Sequence, residues 1–311
     1  YHPVDLGIES EDLEEDELRI LVKNITHENL ALLLESSEEE LDAKIMSFFT
    51  NDELIEIFTH MEHSIVADLL GVLSTVRRKS ILSLMKSADQ NILKMILSFD
   101  EESAGGIMTT NFISLRENLT AEEAIKKIRT ISPETEIIDE IFVTDNYHRL
   151  RGIVTLRDLL VSSAKTVLKD ILEEVDFYVF GTDDQEVAAN LFSKYELDIL
   201  PVVNNNMAIL GVITSEDIIA VIDQEHNEDI LQMHGVNADE EYDSNWVDSF
   251  KSRIPWLIVN LLTAFLASSV VKSFESTISQ VVVLSAAMPI VTGMGGNAGS
   301  QTLSIILTSL A

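Results

Sequence analysis

Apolar positions along the chain follow three regimes, and each predicts different elements. Residues 18–102 repeat apolar side chains at helical spacing in short bursts: A-L-L-L-E, K-I-M-S-F-F, E-L-I-E-I-F and I-L-K-M-I-L. That spacing predicts a series of short amphipathic helices, with Ser37, Asn51 and Ser87 as candidate N-caps between them. From residue 103 apolar runs of strand length alternate with helical stretches. Beyond Ile254 the polar positions almost vanish. Ile254–Phe274 is 21 residues with one charge, Lys272. As a helix it spans about 31 Å, matching a ~30 Å hydrocarbon core. Ile278–Ala311 adds 34 residues without charge, about 51 Å if wholly helical and too long for one simple span. Met288-Pro289 and Gly293, Gly295, Gly296 and Gly299 are where it is expected to break or pack closely.

The middle regime repeats. I141-F-V-T-D and L150-R-G-I-V-T-L-R-D-L recur as L200-P-V-V-N and I209-L-G-V-I-T-S-E-D-I. Gly152 and Gly211, Thr155 and Thr214, and Asp158 and Asp217 all stand 59 residues apart. Each copy is expected to open its first helix with a capping box, Thr120-x-x-Glu123 and Thr182-x-x-Gln185. Two like copies predict a pseudo-twofold pair burying a shared face. The order strand, glycine, strand, Thr-x-x-Asp, helix resembles a CBS-domain tandem.

Charge sharpens the division. The 311 residues hold 21 Lys+Arg and 53 Asp+Glu, a net −32. After Arg253 only Lys272 and Glu275 are charged, so the first 253 residues hold 20 basic and 52 acidic side chains, which is the whole −32. No basic surface for nucleic acid is available. With no cysteine there is no disulfide framework, thiolate metal site or Cys nucleophile. Lys251 and Arg253 before the first span, against Lys272 after it, favour a cytoplasmic N-terminal body. Two spans are too few to enclose a solute path, so the membrane domain is expected to be incomplete here or shared between chains.

Candidate chemistry lies in four places. Thr155 and Asp158, with Arg157 between them, sit at a strand-to-helix junction. Free N–H groups there suit phosphate, and a carboxylate accepts ribose hydroxyls. The alternative is that Thr and Asp simply cap the helix, and both readings stand at this point. Gly293, Asn297 and Gln301 follow at i, i+4 on an uncharged helix, with Ser300, Ser304 and Thr308 nearby. Such a stripe lines a water-filled path or forms a small-residue packing seam. G293-M-G-G-N-A matches a dinucleotide fingerprint in spacing, but no strand–helix–strand unit surrounds it. Glu225, Glu228 and Asp229 crowd one helix face after the second copy, as a solvated surface or as a site for a hard divalent cation. His60-x-x-His63 would share a helical face but lacks further ligands. No catalytic constellation is present, so no enzyme is expected.

Together these segments resemble the MgtE-type magnesium transporters and channels. The resemblance is carried by F99-D-E-E-S-A-G-G-I-M-T-T, E228-D-I-L-Q-M-H-G-V, R253-I-P-W-L and M288-P-I-V-T-G-M-G-G-N-A-G-S-Q. It implies a multidomain chain. A disordered acidic segment (1–17) would precede an all-α superhelical N domain (18–102), and an α+β CBS tandem would occupy 103–165 and 166–225. A connecting "plug" helix (226–253) and transmembrane helices 1 and 2 (254–311) would follow. It further implies a homodimer in a cell membrane, conducting Mg²⁺ and closed by intracellular Mg²⁺. Gly293, Asn297 and Gln301 would line the ion path, and Asp217, Glu225, Glu228 and Asp229 would bind regulatory Mg²⁺. Thr155, Arg157 and Asp158 would meet ATP. Two positions depart from the family pattern: Ala220 stands where an acid is expected, and Leu197 where an aromatic would stack on adenine. A CBS-regulated transporter of another divalent cation and a membrane-tethered adenylate sensor remain as alternatives.

Overall fold

The computed structural model describes residues 10, 13–37, 39–131, 137–233 and 246–310. The chain divides into two compact units, 1–225 and 226–311. Among the described residues, seven short helices open the first unit's run of named elements: α1 (Glu15–Asn24), α2 (His27–Leu34), α3 (Glu39–Ser47), α4 (Asn51–Phe58), α5 (His63–Val72), α6 (Thr75–Leu84) and α7 (Ser87–Ile96). Each packs on the next but one: α1 on α3, α2 on α4, α3 on α5, α4 on α6 and α5 on α7. A helix of two or three turns offers one apolar stripe, and this stacking buries it between neighbours. Leu18, Leu30, Leu33, Ile45, Leu54 and Ile57 are fully buried there. Helix α1 starts at Glu15 and places Leu18 in the core, so order begins inside the stretch read as a disordered tail.

The caps differ from the expected ones. Thr50, not Asn51, closes a capping box with Glu53. The residue before α7 is Lys86, with no side-chain cap, and Ser87 is already helical. Ser37 donates to the Leu33 carbonyl and to Asp42 Oδ1 at 2.7 Å. Arg77 of α6 ties three helices together. Its Nη2 donates to the Met46 and Phe49 carbonyls at 3.0 and 2.7 Å, and its Nε donates to Asn51 Oδ1. The guanidinium therefore satisfies carbonyls that the end of α3 leaves open.

Two three-stranded sheets follow. The first orders β1 (Ile113–Arg116), β2 (Glu140–Thr144) and β3 (Leu150–Thr155); the second orders β4 (Val179–Phe180), β5 (Ile199–Val203) and β6 (Ile209–Thr214). In each, the first pair is parallel and the second antiparallel, and the register slips at Val143/Thr144 and at Val202/Val203, again 59 residues apart. Helices α8 (Ala121–Ile131) and α9 (Leu156–Val161) serve the first copy, and α10 (Gln185–Tyr195) and α11 (Ser215–Met233) the second. The Thr120–Glu123 box forms as expected. At α10 the cap is Asp184, which accepts from Glu186 N at 2.9 Å; Thr182 lies outside it.

Each copy is completed by the chain leading into the other. Thr109 and Val212 exchange backbone hydrogen bonds at 2.8 and 3.0 Å, and Glu173 and Ile153 do so at 2.9 Å. Ile153 and Val212 are repeat equivalents. The glycine before each is where the crossing strand comes closest: a methyl on Gly152 would meet the Glu173 carbonyl, and one on Gly211 the Thr109 carbonyl at 2.7 Å. The shared glycine thus marks backbone laid against backbone.

The second unit holds α12 (Trp246–Ser273), α13 (Glu275–Gln280) and α14 (Val282–Leu310). Helix α11 runs unbroken through residues 225 and 226, so the expected connecting helix has no separate start. Residues 234–245 of that expectation lie outside the described residues. Among the described residues one segment, Arg253–Ser273, is long and apolar enough to cross a membrane, with mean hydropathy 1.9. The second expected span is one continuous helix of 29 residues with Pro289 inside it, so neither the proline nor the glycines break it. Its length is about 44 Å.

Candidate cation and nucleotide sites

The two Thr-x-x-Asp junctions are built alike. Thr155 N donates to Asp158 Oδ2 at 3.3 Å and Asp158 N to Thr155 Oγ1 at 3.1 Å. At the second junction Thr214 N donates to Asp217 Oδ2 at 3.0 Å and Asp217 N to Thr214 Oγ1 at 3.3 Å. The next amide is also engaged: Leu156 N donates to the Asp139 carbonyl at 2.8 Å and Ser215 N to the Asp198 carbonyl at 3.0 Å. The free N–H groups expected for phosphate are therefore mostly committed within the junctions, and both pairs act as helix caps.

A cleft opens at each junction. The one at Thr155 and Asp158 encloses about 340 Å³, and seven of its fourteen lining residues are carboxylates. Arg157 is exposed and is not among those walls. The cleft at Thr214 and Asp217 encloses about 410 Å³; its thirteen lining residues include Glu62 from the helical domain and five further carboxylates. Neither wall carries a Lys, Arg or His.

Glu140 and Asp198 line both clefts. Burial pushes the Glu140 carboxyl above the usual carboxylate range, and the charges of Asp198 and Asp139 add to it. Its Oε2 is buried with no hydrogen-bond partner. Nothing in the sequence singled out Glu140: its repeat equivalent is Ile199, so the motif that exposed the twofold hides this position.

Of the α11 acids, Asp217 lines the second cleft, while Glu225 lies about 12 Å further along the helix axis. Glu225 Oε1 accepts from Gln185 Nε2 at 2.7 Å, and Gln185 is 2 % exposed. That bond spans 40 residues and was invisible to local pattern. The Asp229 side chain lies outside the described residues. Among the described residues no three acidic or histidine side chains already form a metal cage. Mg²⁺ needs no such cage, because it keeps most of its waters and touches one or two carboxylates.

The histidines do not share a helix: His60 lies in the turn after α4 and His63 opens α5. His63 Nδ1 faces Thr110 Oγ1 at 3.3 Å, and its Nε2 is 3.7 Å from Asp89. On α14, Gly293, Asn297 and Gln301 are all exposed. A methyl placed on Gly293, Gly295, Gly296 or Gly299 would meet nothing within 4 Å, so among the described residues no packing requires those glycines.

Comparison with known proteins adds the family. The MgtE intracellular N domain matches residues 1–102, and the CBS domain matches 104–165 and 168–224. The magnesium transporter MgtE of Thermus thermophilus is 32% identical over 252 residues, 78% of this chain and 56% of the relative. That of Enterococcus faecalis is 34% identical over 72% of this chain and 49% of the relative. This chain belongs to the MgtE family. The Bacillus subtilis MgtE is 24% identical over 99% of this chain and 68% of its own length. The chain thus spans about half to two thirds of these MgtE relatives.

Two solved structures share the fold of the first unit. The soluble part of a magnesium transporter is 30% identical with a TM-score of 0.63, covering 72% of this chain and 89% of that one. The cytosolic domain of the Mg²⁺ channel MgtE in complex with ATP is 27% identical with a TM-score of 0.66, covering 71% and 90%. The seven-helix stack is therefore an MgtE N domain, and the paired sheets are a CBS tandem.

Proposed function

We propose that this chain is the cytosolic body and first membrane segment of an Mg²⁺ transporter or channel whose opening is controlled by intracellular Mg²⁺. The observation that carries this reading is the order of parts. An MgtE N domain and a CBS tandem precede a bilayer-length apolar helix, and the first 253 residues hold the chain's whole net negative charge. Like charge concentrated in one body costs free energy, and hard cations offset it best through carboxylate oxygens. The wall at Asp217 suits a hydrated Mg²⁺, and Glu225, Glu228 and Asp229, about 12 Å or more further along α11, are proposed as ligands of separately bound Mg²⁺. The resemblance supplies the rest of the proposal: a homodimer, a bilayer, and boundaries near residues 102, 165, 225 and 253.

Asn297 is the proposed ion-path residue, with the Gly293 backbone one turn before it and Gln301 one turn after. Its carboxamide is a neutral hard acceptor that orients the waters of Mg²⁺ without trapping the ion. The test is cation uptake by a protein carrying this chain and the remaining membrane helices. Asn297→Leu is expected to remove Mg²⁺ uptake while leaving Mg²⁺-dependent protection of residues 1–233 from protease intact. Wild-type uptake by a correctly inserted Asn297→Leu protein overturns the assignment. Uptake of Mn²⁺ or Co²⁺ in place of Mg²⁺ would select a transporter of another divalent cation. Nucleotide binding with no flux at all would select a tethered adenylate sensor.

A further inference from the structure

Two clefts open at the Thr-x-x-Asp junctions, and a solved structure of the same fold holds ATP. In this chain the walls oppose that ligand. The first cleft combines carboxylates such as Glu140, Asp158, Glu173, Glu174 and Asp176 with mostly apolar side chains, and has no basic residue. The second has six carboxylates among thirteen lining residues and no basic residue either.

A polyphosphate binds through cations and through N–H groups at a helix start. The charged donors are missing from both walls. At each junction three backbone amides are already bonded: Thr155, Leu156 and Asp158 in one, Thr214, Ser215 and Asp217 in the other. The aromatic surface by the first cleft is also occupied, since Phe177 stacks on Tyr195 with ring centroids 4.1 Å apart. Size is not the obstacle, because both volumes fall within the ~300–1,000 Å³ of ordinary ligand pockets.

We propose that the junction clefts of this chain reject ATP, and that the negative charge of their walls is what excludes it. ATP then does not gate the protein through these two clefts. This inference does not rest on the transport reading, because binding alone tests it.

The test is equilibrium dialysis of the purified chain in detergent against ATP, in the presence of a chelator and at fixed ionic strength. Wild-type protein is expected to show no saturable binding up to about 1 mM ATP. A variant carrying Glu173→Gln, Glu174→Gln and Asp176→Asn removes three exposed wall charges. It is expected to keep its melting temperature and to bind ATP at least about tenfold more tightly than wild type. Saturable wild-type binding below 1 mM overturns the proposal outright. A folded variant with no gain overturns charge as the cause.

Discussion

The two CBS copies share register, bulge position, capping box and glycine, yet they end differently. Helix α9 stops after six residues at Val161, while α11 runs for 19. Shifting by the repeat length aligns Ser162-Ser163 of the first copy with Val221-Ile222 of the second. Val221 is buried and Ile222 packs on the same core. Serine competes for backbone hydrogen bonds and supplies no apolar contact, so the first helix has no reason to continue. Two apolar residues at the same place extend the second, and the acids Glu225, Glu228 and Asp229 ride on that extension. Like junctions are thus followed by helices of very different length.

Copying the first ending into the second breaks the comparison most strongly. Val221→Ser with Ile222→Ser should cost about 2–4 kcal/mol. Far-UV circular dichroism and the melting temperature check this; an unchanged melt would mean that Val221 and Ile222 do not hold the extension to the core. Next comes Gln185, which ties the extension to α10. Gln185→Leu removes its 2.7 Å bond to Glu225 and should cost about 1–2 kcal/mol. Urea unfolding measures the loss, and Glu225→Ala combined with Gln185→Leu should be less than additive.

Glu140 sharpens the comparison from the other side, since the second copy has Ile199 in its place. Glu140→Gln should stabilise the fold by about 1 kcal/mol near neutral pH, raising the melting temperature by roughly 2–4 °C. Burial raises the folded-state pKa of Glu140, so the folded protein takes up its proton at a higher pH than the unfolded chain does. The penalty is full above that folded pKa and is relieved as pH falls through it. The gain from Glu140→Gln should accordingly shrink on acidification, and a constant gain from pH 7 downward would refute the cause. The smallest effect is a matched pair: Thr155→Ala and Thr214→Ala should each cost about 1 kcal/mol, and equally, because the two boxes are the same.

What the sequence revealed depended on range. Helical bursts, the 59-residue repeat and the Thr120–Glu123 box are local signals, and all three appear in the structure. The reciprocal strand exchange was not legible, because it joins Thr109 to Val212 and Ile153 to Glu173 through backbone groups that every residue carries. The site was legible as residue types and not as surroundings. Thr155 and Asp158 were found, but whether their amides were free depended on the Asp139 carbonyl. Arg157 looked like a phosphate cation by adjacency, yet consecutive residues on a helix point in different directions.

The next-but-one stacking of the N domain has a kinetic side. Contact partners such as α1 and α3, or α5 and α7, lie a few tens of residues apart, so closing them requires only short loops. Folding rates rise as contacts become more local. The tandem is the opposite case, since Thr109 waits for Val212 about a hundred residues later. During synthesis the helical stack can thus assemble turn by turn as it emerges. The first CBS copy closes its own edge at Ile153 as soon as Glu173 is made, but the lead-in at Thr109 stays unpaired until Val212 emerges, and that interval is when the chain is most exposed to mispairing.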